Sequence, residues 1–491
     1  MSVPSADIFS APGWAVDSDA ARWQESLRRF YGRVRHVVRD RWLDYYYLRI
    51  KERLAHVIPP GSRVLDIGCG TGELLASLRP SVGIGVDLNE ATVAEATRNY
   101  PTLRFLHMRG EDVHQLDEKF DYVLLCQAIG EVYDLLALFR ALQSVCHSRT
   151  RLVVVHYSRV WQPALRLMEF LRLKSPSPEQ NWVPTDEITH LLGLSGFEQI
   201  RTSGMTIAPL YVPLLSAFFN RLLGNLPGVH QFGLNNVIIA RSIQPRASAD
   251  EPRSVSIVVP ARNEAGHIAH LLRRIPQLAP KQEVIFVEGG STDATWWAIQ
   301  KAAAEYRGPM SIRTFQQEGR GKGDAVRKGF AAATGDVLMI LDADVSVPPE
   351  ELRAFYDALV TGKGEFINGS RMVYLMDRRA MRFLNLLANK AFGGLFTYLL
   401  SQRFRDTLCG TKVLTRADYK RIVSQREYFG DFDPFGDFDL LFGAARANLK
   451  IVDIPVHYKA RSYGETNISR FRHGWMLLRM CFVAARKLKF I

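Results

Sequence analysis

Val64-Leu65-Asp66-Ile67-Gly68-Cys69-Gly70-Thr71-Gly72 reads as a strand that ends in a carboxylate and runs into three glycines at alternate positions. Glycines so placed let the backbone turn sharply and approach a ligand closely before a helix begins, which puts a binding site at the carboxyl ends of a sheet. The spacing is not that of the pyrophosphate fingerprint G-x-G-x-x-G, so a smaller adenosine ligand is favoured over a dinucleotide. A glycine-rich strand turn can also be a packing device, but two acids downstream argue for a ligand. Ile84-Gly85-Val86-Asp87 ends a second strand in a carboxylate able to accept both hydroxyls of a ribose. After a further strand, Gly110-Glu111-Asp112 offers an acid for an adenine amine.

Around this loop, strands expected over 63–67, 81–86, 122–126 and 152–156 alternate with helices over 72–78, 90–99 and 135–146. Such alternation predicts a parallel sheet with helices on both faces. A helix over 185–192, a turn at Ser195-Gly196-Phe197 and an apolar strand over 237–240 complete a unit spanning 59–242. Ahead of it, 1–58 forms a helical lead whose aromatic part, 23–57 with Tyr45-Tyr46-Tyr47, stops at Pro59-Pro60-Gly61. The polar, proline-bounded stretch 243–253 is the expected linker. From Ser254 the alternation restarts with strands over 256–259, 284–287 and 337–341, so 254–491 carries a sheet of its own.

Composition agrees with several folded domains: in 491 residues, 47% are hydrophobic and 23% charged, which excludes a disordered or fibrous chain. The five cysteines, Cys69, Cys126, Cys146, Cys409 and Cys481, are scattered and never spaced C-x-x-C, so neither a disulfide framework nor a zinc cluster is indicated. Met1 to Asp17 lacks the basic and apolar regions of a secretory signal. No run reaches the roughly 20 apolar residues of a spanning helix; the nearest, 205–219, is interrupted by Pro209 and Pro213. A cytoplasmic protein, peripheral on the cytoplasmic face of a membrane, is expected.

The net charge of +13 is uneven, +2 through Pro245 and +11 beyond it. From Lys459 onward eight basic residues face one acid, Glu465. That excess suits an anionic lipid surface, although a solvated basic tail explains it equally well. Nucleic acid is disfavoured, because no recognition helix or base-stacking platform accompanies the charge. At 473–490 Trp475, Leu477, Leu478, Met480, Phe482 and Val483 mix with Arg479, Arg486, Lys487 and Lys489. An amphipathic helix at a membrane interface and one packed on its own domain share that pattern.

The second half carries four loops in order. Val258-Val259-Pro260-Ala261-Arg262-Asn263-Glu264 ends a strand in a turn that can wall a nucleotide base. In Glu288-Gly289-Gly290-Ser291-Thr292-Asp293, small residues bring backbone N–H groups to a ligand, and Asp293 can cap the next helix. Arg320-Gly321-Lys322-Gly323-Asp324 is a flexible cationic loop suited to a diphosphate. Asp342 and Asp344, two apart at a strand end, are expected to point to the same side and share a divalent cation bridging that diphosphate.

The first set of motifs resembles the class I S-adenosylmethionine-dependent methyltransferases over roughly 59–242. Phe120-Asp121-Tyr122-Val123-Leu124-Leu125-Cys126-Gln127 resembles the family's fourth-strand segment, and among its members the methionine-biosynthesis-associated W-type proteins. The resemblance implies a Rossmann-like sheet and binding of S-adenosyl-L-methionine by Asp66, Gly68, Gly70, Gly72, Asp87, Glu111 and Asp112. The methyl acceptor is open. His156 and Tyr157, after the last inner strand, can serve as base or substrate contact, or simply be hydrogen-bonded at a strand end.

The second set resembles the family 2 glycosyltransferases, which have a nucleotide-diphosphosugar transferase (GT-A) fold and invert the anomeric centre. Gly369-Ser370-Arg371, Asp406-Thr407-Leu408-Cys409-Gly410-Thr411-Lys412, Ile454-Pro455-Val456-His457-Tyr458 and Arg461-Ser462-Tyr463-Gly464-Glu465-Thr466 are similar to the polyprenyl-phosphate branch, typified by dolichyl-phosphate mannose synthase. That implies a nucleotide-sugar site of Pro260, Arg262, Glu264, Glu288, Lys322, Asp342 and Arg371, with Mg2+ or Mn2+ on Asp342 and Asp344. Glu288-Gly289 stands where the family has Asp-Asp, and no Q-x-x-R-W appears, which disfavours a processive polysaccharide synthase.

A hydroxyl acceptor needs a base. Asp437 matches the family's base position and Asp439 is the alternative; as a pair at a helix start they can also be cap and dipole partners. A polyprenyl phosphate needs no base, and Arg371, Arg378, Arg379 and Arg382 then matter as phosphate clamps, unless they form an exposed basic face. The expectation is an α/β chain of two domains that transfers a sugar and a methyl group. Two alternatives stay open: a silent S-adenosylmethionine-binding module serving one active glycosyltransferase, and nucleotidyl transfer at the same acid pair.

Overall fold

The computed structural model describes residues 13–33, 44–172, 174, 176–178, 180–243, 254–374, 383–428, 436–459 and 470–490. Past Ile243 the expected linker lies outside them, as do Arg378, Arg379, Arg382 and the motif 461–466. The chain divides into two compact units, Met1–Gln244 and Pro245–Ile491.

In the first unit seven strands form one sheet: β1 Arg63–Ile67, β2 Val82–Asp87, β3 Arg104–His107, β4 Phe120–Cys126, β5 Cys146–Tyr157, β6 Phe197–Met205 and β7 Asn235–Ser242. Their order is β3-β2-β1-β4-β5-β7-β6. β1 to β5 run parallel, as the alternation predicts, but β7 is antiparallel to both β5 and β6, so the sheet is mixed. β7 is the reversed strand: after β6 the segment 206–234, which holds only short helical turns, leads back into it.

Alternate residues serve the two faces. Leu65, Ile67, Val123, Leu125, Leu152 and Val154 bury one face against helices Leu135–Leu142 and Thr185–Leu194. Val64, Leu124, Val153 and Val155 bury the other, where Tyr46, Ile50 and Leu54 of helix Asp44–Val57 cover them. The described residues of the lead are helical over Gly13–Arg33 and Asp44–Val57. The helix expected over 135–146 ends at Leu142, and β5 begins at Cys146.

The second sheet comprises β8 Val255–Ala261, β9 Gln282–Glu288, β10 Ser311–Gln316, β11 Val337–Ile340, β12 Phe366–Ser370, β13 Lys412–Thr415 and β14 Ile451–Pro455, in the order β10-β9-β8-β11-β13-β12-β14. β13 is antiparallel to both β11 and β12, and the other pairs are parallel. The ends of β8, β9, β10 and β11 therefore open on one edge, which gathers the four motif loops.

Candidate functional sites

In the first unit Gly68, Gly70 and Gly72 all adopt the left-handed backbone that favours glycine, at φ +73°, +51° and +76°. A side chain at Gly72 would meet the Phe105 ring at 2.5 Å, and one at Gly68 would meet Ala128 at 2.8 Å. At Gly70 it would meet nothing within 4 Å. Two of the glycines thus close the loop on its own fold, while the middle one faces open space where a ligand can approach.

Asp87 accepts the Gly70 N–H at 2.8 Å and the Asn89 N–H at 2.9 Å. Burial raises its pKa, against those hydrogen bonds. Asp66, 1% exposed, has a buried oxygen, Oδ1, with no hydrogen-bond partner. Burial, and next the charge of Asp87, push its pKa up to about 8. An orphaned acceptor at the floor of a glycine cradle fits a cationic donor such as the ammonium of S-adenosylmethionine. Glu111 and Asp112 open the short 3-10 turn Gly110–Gln115 and face Arg109 at 3.6 and 3.9 Å. A side chain at Gly110 would meet Ile67 and Leu138 at 2.9 Å, so glycine is what lets this turn approach β1.

The sequence did not flag Tyr31 and Glu131. The Tyr31 hydroxyl donates to Glu131 Oε1 at 2.7 Å, and Trp23 Nε1 donates to the Glu131 carbonyl at 2.8 Å, which ties helix Gly13–Arg33 to the loop after β4. Burial, and to a lesser degree Asp87, raise Glu131 to about 7. No local pattern joins residues a hundred positions apart.

His156 is buried. Its Nδ1 lies 3.0 Å from the Tyr157 carbonyl, which can only accept, so Nδ1 carries the proton and Nε2 receives the Thr185 hydroxyl at 3.3 Å. Burial lowers its pKa to about 4 and keeps the ring neutral. His156 and Tyr157, with Gln127, Gln180, Asn181 and Trp182, line a cleft of about 320 Å³. Trp182 stands 6.0 Å from the Tyr157 ring, and Asn181 N–H bonds the Gly130 carbonyl at 2.8 Å, pinning this wall to the loop after β4. No charged side chain occurs among the described lining residues.

In the second unit the first two loops are laced together. Asn263 N–H bonds Ser291 Oγ at 3.0 Å, Thr292 N–H bonds Asn263 Oδ1 at 2.8 Å, and Glu264 N–H bonds Thr295 Oγ1 at 2.8 Å. Glu264 is itself buried and receives His267 Nδ1 at 2.8 Å. Glu288, also buried, accepts the Ser291 N–H and, at 3.3 Å, Gln316 Nε2. Both acids shape the loops from within, whereas Pro260 is half-buried and Arg262 exposed at the mouth.

Lys322 Nζ lies 2.6 Å from Asp342 Oδ1. β11 stops at Ile340, so Asp342 and Asp344 lie beyond it, at the turn that follows, and strand alternation does not fix their aim. Val345 at φ +55° turns the chain, and buried Asp344 accepts the Ser346 N–H at 3.0 Å. No group of three or more histidine, cysteine, aspartate or glutamate side chains placed to hold a metal ion occurs among the described residues. Two carboxylates fit a cation that completes its shell with substrate phosphates and water.

Asp406-Thr407-Leu408-Cys409-Gly410-Thr411-Lys412 supplies the wall behind this pair. Asp406 receives Arg371 Nε at 2.7 Å and NH2 at 2.8 Å, and Lys412 Nζ bonds the Cys409 carbonyl at 2.6 Å, all of them buried. Although burial opposes it, Arg371 holds Asp406 below the usual carboxylate range. The Tyr458 ring packs on Arg371, 5.0 Å from the guanidinium carbon. Arg371, read from sequence as a phosphate ligand, is thus the partner of Asp406. Gly410 lies so close to Asp342 and Lys322 that any side chain there would collide with both.

Asp437 begins helix Asp437–Arg446 directly after Gly436, which sits at φ +72° and packs against Gly323 of the Lys322 loop. The Asp437 side chain is outside the described residues. Asp439 is ion-paired with Arg426 at 3.1 Å and Arg327 at 3.8 Å, in a pocket of about 460 Å³ lined also by Gly323 and Tyr419.

Residues 39–202 match the family model described as a methyltransferase domain, and residues 256–424 match the model Glycosyl transferase family 2. The chain is 29% identical over 237 residues to glycosyltransferase AglD of Haloferax volcanii, covering 47% of this chain and 36% of that protein. It is 30% identical over 229 residues to an undecaprenyl-phosphate 4-deoxy-4-formamido-L-arabinose transferase of Pseudomonas fluorescens, covering 44% of this chain and 61% of the relative. The chain thus spans less than two thirds of either relative. Among solved structures, a Thermotoga maritima S-adenosylmethionine-dependent methyltransferase matches at 19% identity and TM-score 0.35, over 45% of this chain and all of that one. Glucosyl-3-phosphoglycerate synthase of Mycobacterium tuberculosis matches at 19% and 0.36, over 49% and 81%.

Proposed function

We propose that the second domain transfers a sugar from a nucleotide-diphosphosugar, with inversion, to polyprenyl phosphate or a lipid-linked glycan, and that the first methylates a hydroxyl of the same class of product. The observation that carries the reading is the cluster of Lys322, Asp342 and Gly410 at the edge where β8, β9 and β11 end. Lys322 already neutralises Asp342, so an arriving diphosphate can take over the ammonium while Asp342 and Asp344 hold a divalent cation. That cation, Mg2+ or Mn2+, would supply charge neutralisation for the departing nucleoside diphosphate.

Pro260 and Arg262 flank the nucleotide at the loop mouth, and Glu264 and Glu288 hold the two loops in register. Asp437 is the reading for the base when the acceptor is a hydroxyl, because Asp439 is occupied by two guanidinium groups. A relative that is an undecaprenyl-phosphate transferase supports the lipid-phosphate acceptor, for which no base is required.

In the first domain S-adenosylmethionine would sit on Gly68, Gly70 and Gly72, with Asp87 at the ribose, Asp66 at the ammonium, and Glu111 or Asp112 at the adenine. The cleft beside it offers amides and two aromatic faces without a described charge, which suits a neutral polyol. We place the domains at 59–242 and 254–491, joined by 243–253 and preceded by the lead 1–58. No helix of the described residues is long and apolar enough to cross a membrane. Helix Arg470–Ala484 buries Leu477, Met480 and Cys481 but exposes Trp475, Leu478 and Phe482, a face suited to the cytoplasmic surface of a membrane. Calorimetry tests the cofactor: S-adenosylmethionine binds and Asp87→Ala weakens it, whereas no binding to the parent chain removes the methyl-transfer reading.

A further inference from the structure

One surface of the first unit is built inside out. Between β6 and β7, Thr206 to Leu234 contains no acid and a single arginine, Arg221. Thr206, Ser216 and Asn220 turn inward. Asn220, 5% exposed, accepts the Ile207 and Ala208 N–H groups at 2.9 Å and donates to the Ala208 carbonyl at 2.7 Å. Buried Ser216 accepts the Val212 N–H and donates to the Leu210 carbonyl, both at 2.6 Å.

Its large apolar side chains turn outward instead. Leu214 is 89% exposed at φ +63°, a backbone conformation that L side chains rarely adopt, and Tyr211, Leu215 and Phe218 are exposed with it. Water offers no return for that arrangement. In hydrocarbon it is what a segment needs, with polar groups satisfied internally and apolar atoms outside.

A second element extends this surface. Trp161 Nε1 donates to the Phe232 carbonyl at 2.9 Å, joining helix Gln162–Phe170 to the segment. That helix exposes Leu167 and, at 83%, Phe170. Arg159, Arg166, Arg172 and Arg221 are exposed among these apolar residues, while Glu169 is held by Lys174 at 2.7 Å. Apolar side chains interleaved with unopposed arginines match the acyl boundary and headgroups of an anionic bilayer.

We propose that the methyltransferase unit docks on an anionic lipid surface through residues 206–234, with Leu214 and Phe218 entering the acyl boundary and the arginines meeting headgroup phosphates. The docking is separate from that of the carboxyl-terminal helix and does not depend on which acceptor is methylated.

The test uses the full chain carrying Leu214→Cys labelled with a polarity-sensitive nitrobenzoxadiazole, an unsubstituted chain labelled alike, and Arg98→Cys as an exposed control. On vesicles of phosphatidylcholine with phosphatidylglycerol, the label at 214 should shift to the blue and the control should not. Arg159→Glu combined with Arg221→Glu should weaken vesicle association on the order of tenfold, as expected for surface charges near anionic lipid. A label at 214 that stays aqueous on vesicles overturns the proposal. So does a blue shift that needs no lipid and rises with protein concentration, which would mark the surface as a contact between copies of the chain.

Discussion

Lys322 Nζ and Asp342 Oδ1 face each other at 2.6 Å, with Gly410 so near that a Cβ there would collide with both. The pair is a stored charge exchange. On the function proposed above, the lysine that holds the carboxylate is the group that would turn to a diphosphate once a metal ion takes the carboxylate.

Gly410→Ala should therefore strike transfer without unfolding the domain. Forcing a methyl into so tight a site typically costs about 1–3 kcal/mol, and the displaced Lys322 and Asp342 should cut nucleotide-sugar turnover on the order of a hundredfold, as loss of an electrostatic stabiliser does. Gly394→Ala, where a side chain meets nothing within 4 Å, is the matched control and should leave turnover unchanged. Equal rates for both variants would remove Gly410 from the account.

The Arg371–Asp406 pair predicts a stability effect. Both side chains are buried, so Asp406→Ala leaves an uncompensated guanidinium and should cost about 3–5 kcal/mol, read as a lower denaturation midpoint with no donor present. Were Arg371 a phosphate ligand instead, Arg371→Lys would raise the donor KM and leave the midpoint where it was.

Asp66 gives a pH prediction. Its pKa is about 8 in the folded chain, against roughly 3.9 for a free aspartate, so between those values the folded state retains a proton that the unfolded state has lost. Its contribution to stability thus falls as pH rises from about 4 to about 8. Asp66→Asn, which fixes a neutral side chain, should stabilise the cofactor-free chain by a few kcal/mol at pH 9, with the gain gone near pH 4. Thermal melts across that range check it. The same variant should bind S-adenosylmethionine more weakly.

Both sheets and the order of the loops were legible from sequence because each motif is local: three positive-φ glycines after β1, an acid ending β2, and cationic and acidic loops closing the strands of the second sheet. Three strands were harder to see. β13 is only Lys412–Thr415, β10 is the largely polar Ser311–Gln316, and β6 carries no clean alternation, so burial and pairing decide them rather than pattern. Strand alternation does not reach Asp342 and Asp344, because the strand ends before them, and the roles of Arg371 and Gly410 rest on partners more than 30 residues away.

The central claim is metal-assisted sugar transfer at the Asp342–Asp344 turn. Release of nucleoside diphosphate should be measured from a panel of nucleoside-diphosphohexoses with polyprenyl phosphate as acceptor, with and without Mg2+ or Mn2+, for the parent chain and Asp344→Ala. The account predicts release that requires the divalent ion and falls at least a hundredfold in the variant, while S-adenosylmethionine binding in the first domain is unchanged. Undiminished release by Asp344→Ala in the presence of chelator would contradict it.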